Sequence, residues 1–141
     1  MSLRDEAAFY RAALLLGLVR GEDVVRWADE VLGREADAPS PLVELSTIEP
    51  DSITALRQQL FELSGEGETN EVVGRVLGLV QRDLASGRRS FDDTRTVLKQ
   101  LRAFLKLNRD LNEQLKEFGV DLGLWREGAE QRVRDWLRRY E

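Results

Sequence analysis

The sequence predicts an all-α fold, a compact array of about six or seven helices that are mostly antiparallel neighbours. Three observations predict it. Between proline and glycine punctuation, apolar residues recur at three- and four-residue spacing along the whole chain. No run combines period-two alternation with β-branched enrichment. No Asn-Gly or Asp-Gly hairpin dipeptide occurs. The 141 residues read as a single all-helical domain over 1–141, and a chain of that length can bury roughly two-thirds of its unfolded surface.

The first helix is expected over about Arg4 to Val19, with Phe9, Ala12, Ala13, Leu16 and Val19 inward. Arg20-Gly21 makes the turn, with Gly21 read as its left-handed residue. The next helix opens on Glu22-Asp23, two acids at the positive end of a helix dipole. Its face is Val24, Trp27, Ala28, Val31 and Leu32, and Gly33 ends it. Ser40-Pro41 starts a short helix carrying Leu42, Val43, Leu45 and Ile48, broken by Pro50. Asp51 or Ser52 caps a helix bearing Ile53, Leu56, Leu60 and Leu63.

A further helix spans about Asn70 to Ser86, with Val73, Val76, Leu77, Val80 and Leu84 inward and Gly87 as its cap. Ser90 and Asp93 resemble a capping box, with Asp in place of the usual Glu, that opens a helix at Phe91. Beyond it runs a seam of Val97, Leu101, Phe104, Asn108, Leu111, Leu115 and Phe118. One helix over 91–118 would be about 42 Å long. A break near Asn108-Arg109-Asp110 is the alternative, and both stand open. A last amphipathic helix covers about Glu127 to Tyr140, with Ala129, Val133, Trp136, Leu137 and Tyr140 inward. Leu16-Gly17-Leu18-Val19 recurs as Leu77-Gly78-Leu79-Val80, but the lengths between do not define a solenoid.

Composition excludes several functions. Cysteine and histidine are both absent, so disulfides, thiolate sites and Ser/His/Asp or Cys/His nucleophile systems are ruled out. No phosphate-binding glycine loop of the GxxxxGK[ST] or GxGxxG type occurs. No cofactor is expected. No apolar run approaches the ~20 residues that span a bilayer, and Arg4, Asp5, Glu6 and Arg11 interrupt any leader-like segment. A cytoplasmic location is the expectation. Net charge is −5, which argues against general nucleic-acid binding. Residues 1–87 carry 8 basic and 16 acidic side chains, whereas residues 88–141 carry 13 and 10.

The basic excess gathers in a stripe of Arg95, Lys99, Arg102, Lys106 and Arg109. On one helix this spacing aligns all five over roughly 21 Å. Such a stripe suits an acidic protein surface, although a charged helix face often serves solubility alone. Asn108 either sets register in a coiled seam or marks a helix end. Gly74 and Gly78, one turn apart in a helix, imply close approach of another segment. Trp125 lies in the apolar connector Val120–Trp125, as a core cover or an exposed binding residue. The pairs Glu68/Glu71, Asp110/Glu113 and Glu127/Glu130 resemble those with which all-α pyrophosphohydrolases bind Mg²⁺. In a chain with 26 acids, chance also supplies such spacings.

Ala13-Leu14-x-Leu16-Gly17-Leu18-Val19, then Val25-x-Trp27-Ala28-Asp29, then Pro41 and Glu44-Leu45, resemble the opening of a group of small, uncharacterised bacterial helical proteins. Some of that group look like immunity proteins that neutralise a toxin by binding it. The resemblance covers about a third of the chain, within residues 13–45. It implies an all-helical fold and a bacterial origin, and carries over no catalytic residue.

The leading expectation is a non-catalytic protein-binding module, immunity-like or regulatory. Its partner would be another, acidic protein, engaged through Arg95, Lys99, Arg102, Lys106, Arg109 and Trp125. The alternatives are a Mg²⁺-dependent all-α nucleotide hydrolase and a structural homodimer. No nucleic-acid or membrane partner is expected.

Overall fold

The computed structural model describes residues 2–65, 69–118 and 128–141. It is all-helical, and no strand occurs among the described residues. Eight α-helices follow one another there, one more than the upper expectation, because the segment after Phe91 divides: α1 Leu3–Leu15, α2 Gly21–Arg34, α3 Ser40–Thr47, α4 Ile53–Ser64, α5 Asn70–Ala85, α6 Phe91–Phe104, α7 Arg109–Glu117 and α8 Ala129–Leu137. A 3-10 turn, Arg138–Tyr140, closes the chain. Contacts divide these elements into two compact units, Met1–Val72 and Val73–Glu141.

In the first unit α1 packs on α4, while α3 packs on both α2 and α4. Ala7, Leu14, Val24, Trp27, Ala28, Val31, Leu42, Leu45, Leu56 and Leu60 make the core. Ala7 and Leu14 bring α1 into the same core as Leu56 and Leu60 of α4. Arg4 and Arg11 then donate to the carbonyl oxygens of Ser64 and Gly65, satisfying acceptors that the end of α4 leaves open. Arg11 also lies over the Phe61 ring, 4.7 Å from its centroid. Tyr10 stacks on Trp27 at 4.8 Å.

The first helix ends earlier than its apolar pattern suggests, because Gly17, not Gly21, takes the left-handed conformation (φ 72°). Gly21 is instead the first residue of α2 and is needed for space: a Cβ there would stand 1.8 Å from the carbonyl oxygen of Pro50. Helix α2 runs through Gly33 to Arg34, and α3 begins at Ser40 with Pro41 in its first turn.

In the second unit Val73, Val76, Leu77, Val80 and Leu84 of α5 are buried, as their spacing predicts. Of the paired glycines, Gly78 meets the Tyr140 carbonyl, where a Cβ would come within 2.9 Å; Gly74 faces open space. Gln81 donates to Glu141 Oε1 at 2.9 Å. Trp136 of α8 donates to Gln114 Oε1 of α7 at 2.7 Å, and its ring meets Phe118 and Tyr140 edge-on. The carboxylate of Asp83, 4% exposed, pairs with Arg89 at 3.6 Å.

Helices α1–α3 of the first unit and α5–α7 of the second follow one 70-position register. Helix α2 begins at Gly21 and α6 at Phe91, 70 positions later, and each has 14 residues. Gly17 (φ 72°) and Gly87 (φ 76°) end the preceding helices at the same offset. Gly17 N–H donates to Leu14 O, and Gly87 N–H to Leu84 O. Buried positions match as well: Ala7 with Leu77, Leu14 with Leu84, Val24 with Thr94, Trp27 with Val97, Ala28 with Leu98, Val31 with Leu101 and Leu45 with Leu115. Asp23 and Asp93 occupy equivalent first-turn positions. Asp23 accepts from the Arg20 N–H, while the Asp93 N–H donates to Ser90 Oγ. The repeated Leu-Gly-Leu-Val is out of this register: its first copy is the turn after α1, and its second lies inside α5.

Candidate functional site

The chain from Phe91 to Phe118 is two helices, not one, and the cationic stripe is not a single helical face. Leu105 leaves helical geometry (φ −106°, ψ 149°). Asn108 is the N-cap of α7, its Oδ1 accepting the Leu111 N–H at 2.8 Å. The seam reading of Asn108 therefore gives way to the helix-end reading. Arg95, Lys99 and Arg102 lie on α6, Lys106 in the connection, and Arg109 at the start of α7.

Geometry further sorts the five cations. Arg95 reaches Asp92 at 3.9 Å. Arg102 donates through Nε to Asn112 Oδ1 at 2.7 Å, tying the end of α6 to α7. Both are half-buried, and holding the α6–α7 corner together occupies Arg102. Lys99, Lys106 and Arg109 are exposed. Trp125 lies outside the described residues, as do Glu68 and Glu127.

Phe104 was expected in the seam, yet it is 57% exposed, the most exposed large apolar side chain among the described residues. The cause is the helix break. Leu105, on extended backbone, turns inward and is buried, leaving Phe104 at the outer end of α6. Val97, Leu101, Leu111 and Leu115, the other apolar members of the seam on α6 and α7, are buried. A signal for the break was present in Asn108, an N-cap residue type, followed by Asp110 in the first turn of the next helix. The corner thus sets one exposed aromatic ring two residues from Lys106 and five from Arg109.

Of the paired acids, Glu71, Asp110, Glu113 and Glu130 lie among the described residues. Among the described residues no group of three or more His, Cys, Asp or Glu could hold a metal ion. Glu113 pairs with Lys116 at 3.8 Å, and Glu130 with Arg134 at 3.0 Å, each within its own helix.

No family model, curated protein or solved structure matches this chain.

Proposed function

We propose that this chain is a non-catalytic protein-binding module whose cationic α6–α7 corner docks an acidic protein surface. The observation that carries the reading is Phe104, an exposed ring with Lys106 and Arg109 beside it in the chain and Lys99 further back on α6. Water-exposed aromatic area is costly to maintain, and an aromatic anchor within a polar rim is the composition of interface hot spots. Lysine and arginine around it add charge steering toward an acidic partner. The second unit holds 15 basic and 11 acidic side chains, in a chain that is acidic overall. Short turns such as 86–90 favour antiparallel helix neighbours, which would hold the corner rigidly. An immunity-like or regulatory role in a bacterial cytoplasm extends the reading, supported by the resemblance within residues 13–45.

The test is affinity capture with the tagged chain. A partner held by the wild type should be lost with Phe104→Ala, and with Lys106→Glu combined with Arg109→Glu. Its retention should fall as salt rises. Capture of the same partner, undiminished by either variant, would overturn the reading.

A further inference from the structure

The register shared by α1–α3 and α5–α7 allows their surfaces to be compared position by position, and one pair of surfaces carries opposite charge. The α6–α7 corner, residues 99–109, holds Lys99, Arg102, Lys106 and Arg109 and no acid. The equivalent α2–α3 corner, residues 29–39, holds Asp29, Glu30, Glu35 and Asp37 against Arg34 alone. All five of these side chains are exposed. The inversion is local as well as net: Lys99 corresponds to Asp29 on helices that begin 70 positions apart. Over whole units the contrast is wider, with 6 basic and 15 acidic side chains in residues 1–72.

Resting on the docking reading above, we infer that the acidic surface taken by the α6–α7 corner is the α2–α3 corner of a second copy of this chain. Charge complementarity chooses the occupant: the chain itself presents the acidic surface, at the equivalent place in its other unit. Ala36 and Pro39 are exposed among the four acids and offer the Phe104 ring an apolar footing. The contact is heterologous, joining unlike surfaces, so it either closes a small oligomer or continues from chain to chain. Like corners repel, which disfavours pairing of α6–α7 with α6–α7.

The experiment uses the full chain in two charge-reversed forms. One carries Lys99→Glu, Lys106→Glu and Arg109→Glu; the other carries Asp29→Lys, Glu30→Lys and Asp37→Lys. All six positions are exposed, so far-UV circular dichroism should show native helix in both. Sedimentation equilibrium should find the wild type self-associating at micromolar to sub-millimolar concentration, more weakly at high salt. Each reversed form alone should associate about tenfold more weakly or less than that, since several exposed charge pairs become repulsive together. Mixing the two forms should restore association, because each then meets an opposite charge at both corners.

A wild type that stays monomeric throughout overturns the self-docking. The docking reading survives that result if capture of an acidic protein still depends on Lys106 and Arg109, and falls with it if capture does not. A wild type that associates equally well after both reversals also overturns the proposal, by placing the contact elsewhere. Should one variant lose its helix, the other with the wild type still decides: unchanged association in that variant overturns the contact, and weakened, salt-sensitive association upholds it.

Discussion

Gly21→Ala should be severely destabilising, although alanine ordinarily favours a helix. A Cβ at position 21 would lie 1.8 Å from Pro50 O, 2.8 Å from Pro50 C and 3.0 Å from Leu56 Cδ1. Ordinary contact begins at 3.4 Å, so the Pro50 carbonyl would have to retreat by 1.6 Å. The obstacle is backbone, held between Thr47 at the end of α3 and Ile53 at the start of α4, not the tip of a flexible side chain. Overpacking of a tight site costs about 1–3 kcal/mol, and a backbone obstacle puts this one at about 3 kcal/mol. Alanine returns at most about 1 kcal/mol in a helix interior, and less in the first turn. The expected net loss is therefore about 2–3 kcal/mol.

Gly33→Ala is the matched control in the same helix. It is exposed, its added Cβ meets nothing within 4 Å, and its φ is not positive. It should stabilise by about 0.5–1 kcal/mol. Urea unfolding followed by far-UV circular dichroism gives both values from the shift in midpoint at constant slope. A Gly21→Ala protein as stable as the wild type would refute the close packing of the α2 start on the Pro50 turn.

The turns that end α1 and α5 should respond alike: Gly17→Ala and Gly87→Ala each force a side chain into left-handed backbone and should each cost about 1–2 kcal/mol in the same unfolding assay. A large loss at one and none at the other would break the equivalence of the two turns. Asn108→Ala should cost about 1 kcal/mol by removing the cap of α7, with Asn108→Asp retaining most of it; a stabilising Asn108→Ala would restore the continuous helix. Burial raises the Tyr140 phenol above its ordinary value of 10.0, against a smaller lowering by Arg139. The unfolded chain therefore loses that proton first, so the Tyr140 contribution is intact below pH 10.0 and is lost as pH rises beyond it. In alkaline unfolding titrations Tyr140→Phe should flatten this fall, and an unchanged slope would contradict it.

Much of the fold was legible because its signals are local. Helical periodicity placed Val73, Val76, Leu77, Val80 and Leu84 inward, and all five are buried. Ser90 and Gly87 punctuated α5 and α6 where expected, since a cap is a bond between residues a few positions apart. The candidate corner was only half legible. Its cations stood out by spacing, but nothing local distinguished Lys106 and Arg109 from Arg102, which Asn112 occupies.

By itself, then, the sequence determined the helical class, most inward faces and the lack of histidine and cysteine chemistry, since all depend on residue type and short spacing. Tertiary structure alone decided the rest. Gly21 faces Pro50, 29 positions away, so its need for space cannot be read from its neighbours in the chain. Phe104 fits an apolar period as well as Leu101 does, yet it is exposed because Leu105 takes the inward place when the helix breaks. The 70-position repeat is likewise hidden, because burial constrains size and polarity at matching sites without constraining identity: Trp27 answers to Val97, and Val24 to Thr94.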